Sequence, residues 1–94
     1  MIVEGKTTSG FKYKVDTETM TSWDYIEAVA LSQSEDESEQ IIGFVKMVNI
    51  SMGKAGMNNL RKHLGQNMQV EDVNREVGEI IKAVSAKAKE VKNS

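Results

Sequence analysis

The sequence predicts a mainly helical α+β domain, with an N-terminal β-hairpin packed on a bundle of about four helices. Three observations lead there. Phe11, Tyr13 and Val15 alternate with Lys12 and Lys14, the period-two pattern of a strand with one buried face. From Ser22 onward the apolar residues instead recur at three- and four-residue spacing, the period of amphipathic helices. Within that region Ile41 to Met52 (IIGFVKMVNISM) has eight apolar residues in twelve and wraps most of the way round a helix, so the other elements are expected to cover it.

The hairpin is predicted over residues 2–15. Ile2 to Lys6 is its shorter strand, and Thr7 to Gly10 its turn, with Gly10 suited to a positive φ. A two-stranded hairpin is marginal in water, so its aromatic face is expected on the helices. Asp16 to Thr21 is a polar connection. The first helix is predicted over 22–33, started by Thr21 with Asp24 three residues on, and buried along Trp23, Ile26 and Ala30 beside Val29.

SEDESE, from Ser34 to Glu39, is the most acidic stretch and opens a second helix over 35–52. Ser34 is the expected cap, Glu37 completes a capping box, and the acids suit the positive end of the helix dipole. A divalent-cation loop is not expected there, because the turn glycine between alternating oxygen ligands is missing. On this helix Ile41, Val45, Val48 and Met52, with Phe44 beside them, form the predicted core stripe. Ile42, Met47 and Ile50 fall on other faces, where they either fill the core or meet another chain.

Gly53 and Gly56 are expected to break or sharply bend the chain. A third helix over 55–64 places Met57, Leu60 and Leu64 on one face and ends at Gly65, with Arg61, Lys62 and His63 near its negative end. The last helix, over 70–89, carries Val70, Val73, Val77, Ile80 or Ile81, Val84 and Ala88 on its stripe, which Val91 would extend. Its acids precede its lysines, as the dipole prefers. Gly78 in its interior costs about 1 kcal/mol against alanine and would permit a close helix approach.

At 94 residues the chain reads as a single domain, 1–94. A domain of that size buries only roughly 60–65% of its unfolded surface, so self-association or a partner is expected to add stability. Without cysteine it has no disulfide, thiolate nucleophile or zinc–cysteine site. MIVEGKTTSG lacks the basic and apolar regions of a signal peptide, and no run approaches the about 20 apolar residues of a bilayer span, so a soluble, unexported protein is expected. The net charge of −2 argues against binding that rests on phosphate neutralisation.

No residue pattern points to catalysis, a cofactor or a metal. His63 is the only histidine, and HLGQNM offers it no carboxylate partner, so it reads as a surface residue at a helix end. No nucleophile elbow of the G-x-S-x-G kind occurs. Gly53-Lys54-Ala55-Gly56 is not a phosphate loop, since Val48 and Ala55 stand where the loop needs glycine and a hydroxyl. Asn49-Ile50-Ser51 matches a glycosylation acceptor but lies inside the apolar helix. Leu60 to Val77 has the helix-turn-helix outline of a small regulatory DNA-binding protein, with Arg61, Lys62 and Arg75 as its cations. Glu71 and Asp72 at the start of the would-be recognition helix oppose that alternative.

As a whole the chain resembles the small tail assembly chaperones of long, non-contractile-tailed phages and their prophages. The resembling segments are FKYKVD, SWDYIEAVA, IIGFVKMVNISMGKAG, NNLRKHLG and VEDVNREVGEIIKAV, spanning about residues 10 to 90. The resemblance implies a non-enzymatic, cofactor-free protein acting in the host bacterial cytoplasm. It would form homo-oligomers, keep the tape measure protein soluble, help recruit tail tube protein around it, and be absent from the finished virion. A longer, frameshifted form is frequent in that family. The chain departs from it after the second helix, where glycines and methionines replace a leucine-rich segment. Ile42, Met47, Ile50 and Met57 are the candidate interface, since flexible methionines suit an adaptable apolar surface.

Overall fold

The computed structural model describes residues 1–93, with side chains through Glu90. In order the chain forms β1 (Ile2–Lys6), β2 (Lys12–Asp16), a 3₁₀ turn (Thr17–Thr21), α1 (Trp23–Ser32), α2 (Glu37–Leu64) and α3 (Val70–Asn93). The architecture is therefore an antiparallel hairpin on three helices, not four.

The hairpin pairs Val3 with Val15 and Gly5 with Tyr13, which turns Val3, Val15 and the preceding Phe11 into the core. On the other face Glu4 opposes Lys14, a cross-strand pair of opposite charge. Gly10 takes φ +96°, and the turn closes with Thr7 N donating to Phe11 O at 2.8 Å and Gly10 N to Thr7 O at 3.0 Å. A side chain would strain that conformation.

Ser22, not Thr21, caps α1: its Oγ accepts from Tyr25 N at 3.2 Å, while the Thr21 hydroxyl donates back to Glu18 O at 3.0 Å within the 3₁₀ turn. The turn displaces the helix start by one residue. The buried face also differs from the expected one. Tyr25 and Ala28 pack inward, whereas Trp23 is 74% and Ile26 52% exposed. The reason lies on the facing helix, where Gly43 lets the α1 backbone approach so closely that only the Ala28 side of α1 fits.

The two helices expected over 35–52 and 55–64 are one helix of 28 residues, kinked at Gly53, whose φ of +71° and ψ of 172° leave helical geometry for a single residue. Gly56 stays helical, so no loop opens between the halves. The N-cap is Asp36, whose carboxylate accepts from Ser38 N at 2.8 Å, and Ser34 instead accepts from Asp36 N at 3.1 Å. At the far end Gly65 (φ +93°) closes the helix, with its N donating to Arg61 O at 2.8 Å.

One core cluster joins Val3, Phe11 and Val15 of the hairpin, Val48, Met52 and Leu60 of α2, and Val77, Ile80 and Val84 of α3. Met57, Leu64, Val73 and Ile81 pack against it. The predicted α2 stripe holds at Val48 and Met52 but not at Ile41 and Val45, which are 62% and 49% exposed. Those two face the first turn of α3 across a gap that the helix does not close. Val70, at that turn, is 70% exposed. Val91 lies outside the described side chains. Among the described residues no helix is long and apolar enough to cross a membrane.

Gly78 makes no close approach: a Cβ there would have no atom within 4 Å among the described residues. Gly78→Ala is therefore expected to stabilise the protein by about 0.5–1 kcal/mol and to raise Tm by a few degrees in a thermal melt.

Candidate functional site

Two features stand apart from the core, a polar cluster at the hairpin turn and an apolar groove on the opposite reach of α2. The polar cluster is built on Glu76, which is fully buried on α3. Its Oε1 accepts from Thr7 Oγ1 at 2.6 Å and from Ser9 Oγ at 2.7 Å, and its Oε2 from Arg75 Nε at 3.3 Å. Alongside, Glu79 Oε1 accepts from the Thr8 backbone N at 2.7 Å and the Thr8 hydroxyl at 2.8 Å. Burial works to raise the Glu76 pKa, but the hydrogen bonds from Thr7, Ser9 and Arg75 and the adjacent guanidinium outweigh it, holding the carboxyl below its ordinary value.

Ser9 Oγ also lies 2.9 Å from His63 Nε2, so serine, histidine and a carboxylate meet. Their order is not that of a nucleophilic triad, where imidazole stands between hydroxyl and acid. Here the hydroxyl stands in the middle, with its proton directed at Glu76. Nε2 must then be the donor to Ser9, and the ring has no proton to accept from it. His63 also tilts against Phe11, with ring centroids 5.4 Å apart. The chemistry available to this cluster is fastening: it ties the hairpin turn to α3 and to the end of α2. Among the described residues no group of three or more histidine, cysteine or acidic side chains could hold a metal.

The groove has a volume of about 650 Å³. Ile41, Phe44, Val45 and Val48 form one wall, Val70 and Val73 of α3 the other, and Met57 and Met68 close it beyond the kink. Its polar lining is limited to Ser32, Gln40, Asn49 and Arg61. An apolar concavity of this size, rimmed by single polar groups, has the form of a surface on which an apolar partner or ligand docks.

The four residues predicted as an interface do not share one patch. Ile42 is exposed, Met47 is half-buried, Ile50 lines a separate cleft between α1 and α2, and Met57 lines the groove while packing on the core. Ile41, Val45 and Val70 were expected in the core and instead wall the groove. The signal available in the sequence was position: Ile41 and Val45 stand in the N-terminal third of α2 and Val70 is the first residue of α3, near the ends of their stripes.

Of the three cations in the helix-turn-helix outline, Arg75 is committed to carboxylates of its own helix, 3.2 Å from Asp72 and 3.3 Å from Glu76. Arg61 and Lys62 are exposed at the end of α2. Compared with protein families, with curated proteins and with solved structures, the chain finds no match.

Proposed function

We propose that this protein is a non-enzymatic tail assembly chaperone of a phage or prophage, working in the host bacterial cytoplasm. It self-associates, keeps the tape measure protein soluble, and helps recruit tail tube subunits around it. The observation that carries this reading is the large apolar surface left uncovered on so small a chain: the groove walled by Ile41, Val45 and Val70, and the outer side of α1 with Trp23 and Ile26.

Surfaces of that kind persist on soluble domains where a partner covers them. A chaperone for a long helical client needs apolar contacts at helical spacing and no chemistry. Met57 and Met68 in the groove add deformable contacts that tolerate varied side chains. The five resembling segments of the sequence point the same way.

The test is co-expression with a tape measure protein. Alone, the client is expected mostly in the insoluble fraction. With this protein it is expected mostly soluble and to co-purify with it. An unchanged soluble fraction overturns the reading.

A further inference from the structure

Among the described residues, two apolar surfaces of opposite shape stand out. One is convex: Trp23, Ile26 and Ala30 stand at i, i+3 and i+7 on α1, all exposed, opposite the inward-packed Tyr25 and Ala28. The other is the groove, whose α2 wall presents Ile41, Val45 and Val48 at i, i+4 and i+7. Each spans seven residue steps, about 10 Å along a helix axis. The convex stripe therefore matches the groove in length and in period.

Within one molecule they cannot meet, because α1 is already held against α2 through Gly43. Their charges are complementary. Asp24 and Glu27 flank the α1 stripe, Arg61 lines the groove, and none of the three makes an ion pair among the described residues. Of the other apolar residues of α2, Val48, Met52 and Leu60 belong to the core, Ile50 lines the cleft beside α1, and Ile42 is exposed outside the groove.

We infer that α1 of one copy seats in the α2–α3 groove of the next, with Trp23 and Ile26 filling the groove and the α1 acids facing Arg61. A large aromatic inserted in a preformed apolar pocket is the usual anchor of such a contact. The two surfaces differ, so the contact is heterologous: each copy offers one stripe and one groove, and copies add head to tail into a ring or filament instead of stopping at a two-fold dimer. This takes the self-association in the proposed function and assigns its surfaces.

The test uses Trp23→Asp and Val45→Asp, both at exposed positions and both checked for unchanged helical circular dichroism. The wild-type protein is expected to exceed a dimer by light scattering at high concentration, with the emission of its single tryptophan shifting to the blue as it assembles. Each variant alone is expected to be monomeric. Mixed in equal amounts they are expected to form a one-to-one dimer and nothing larger, since Val45→Asp keeps its stripe and Trp23→Asp keeps its groove. Arg61→Glu is expected to weaken assembly by roughly tenfold. A mixture that stays monomeric, a single variant that assembles like the wild type, or no loss with Arg61→Glu overturns the inference. A monomeric wild type that still solubilises the tape measure protein overturns it together with the self-association in the proposed function and leaves only the solubilising role standing, whereas assembly as described without that effect upholds the inference and overturns the solubilising role.

Discussion

Glu76→Ala is expected to cost about 3 kcal/mol of folding stability and to lower Tm by on the order of 15 °C. The carboxylate is fully buried and accepts three hydrogen bonds, two of them from residues 67 and 69 positions away on the hairpin turn. Truncation leaves the buried Thr7 hydroxyl proton without its acceptor and opens a void where the side chain was. Against a total stability of about 5–15 kcal/mol for a small domain, this is a large fraction. Urea denaturation monitored by circular dichroism measures it.

The same group sets a pH dependence whose sign follows from its depressed pKa. A carboxyl that ionises more easily in the folded than in the unfolded protein contributes fully above its unfolded value. That contribution is lost as pH falls through the folded value. The wild type is therefore expected to lose stability as pH drops below the ordinary value of 4.5. Glu76→Gln keeps the shape and can still accept from Thr7 and Ser9, but sets an amide N–H₂ against Arg75 Nε. Its stability is expected to sit below wild type at neutral pH, with the gap narrowing on acidification. A gap that stays constant with pH would show that the Glu76 charge makes no contribution.

The features legible in the sequence are those decided within a few residues. The alternation from Phe11 to Val15 marks the strand, and Gly10 and Gly65 stand where the chain turns with positive φ. The number of helices was less accessible, because Gly53 and Gly56 are equal as helix breakers by residue type and only Gly53 leaves helical geometry. Glu76 was hidden for another reason. In its own segment it is one of several acids suited to a helix N-terminal half, and its partners Thr7 and Ser9 read as ordinary turn residues. Only the tertiary fold brings a buried carboxylate to two hydroxyls.

The α1 face shows most clearly how patterning misleads. Trp23, Ile26 and Ala30 make the bulkier stripe, so hydrophobicity alone turns them inward. The structure instead selects the face with the closest backbone fit, Ala28 against Gly43. What the sequence reading placed in the core of one molecule is then available for the groove of another.

That contact makes Gly43→Ala the second large expected effect, a destabilisation of about 2 kcal/mol. Helix propensity argues the opposite, since alanine is favoured over glycine by about 1 kcal/mol inside a helix. Position decides the sign. A Cβ on Gly43 would fall 2.7 Å from the Ala28 carbonyl oxygen and from the Leu31 carbonyl carbon, and against the Ser32 backbone N as well. All three are backbone atoms, so no side chain can rotate to relieve the overlap, and α1 as a whole must move away. A helix of 10 residues is too short to hold its structure without packing, so the displaced α1 should exchange its amide hydrogens well before α3 does. Gly78→Ala, the same substitution where the Cβ meets open space, should shift Tm upward in the same melts. If both variants shift alike, propensity governs and the close approach at Gly43 contributes nothing. If they diverge, Gly43 fixes the placement of α1, and with it the direction in which the exposed Trp23 and Ile26 point.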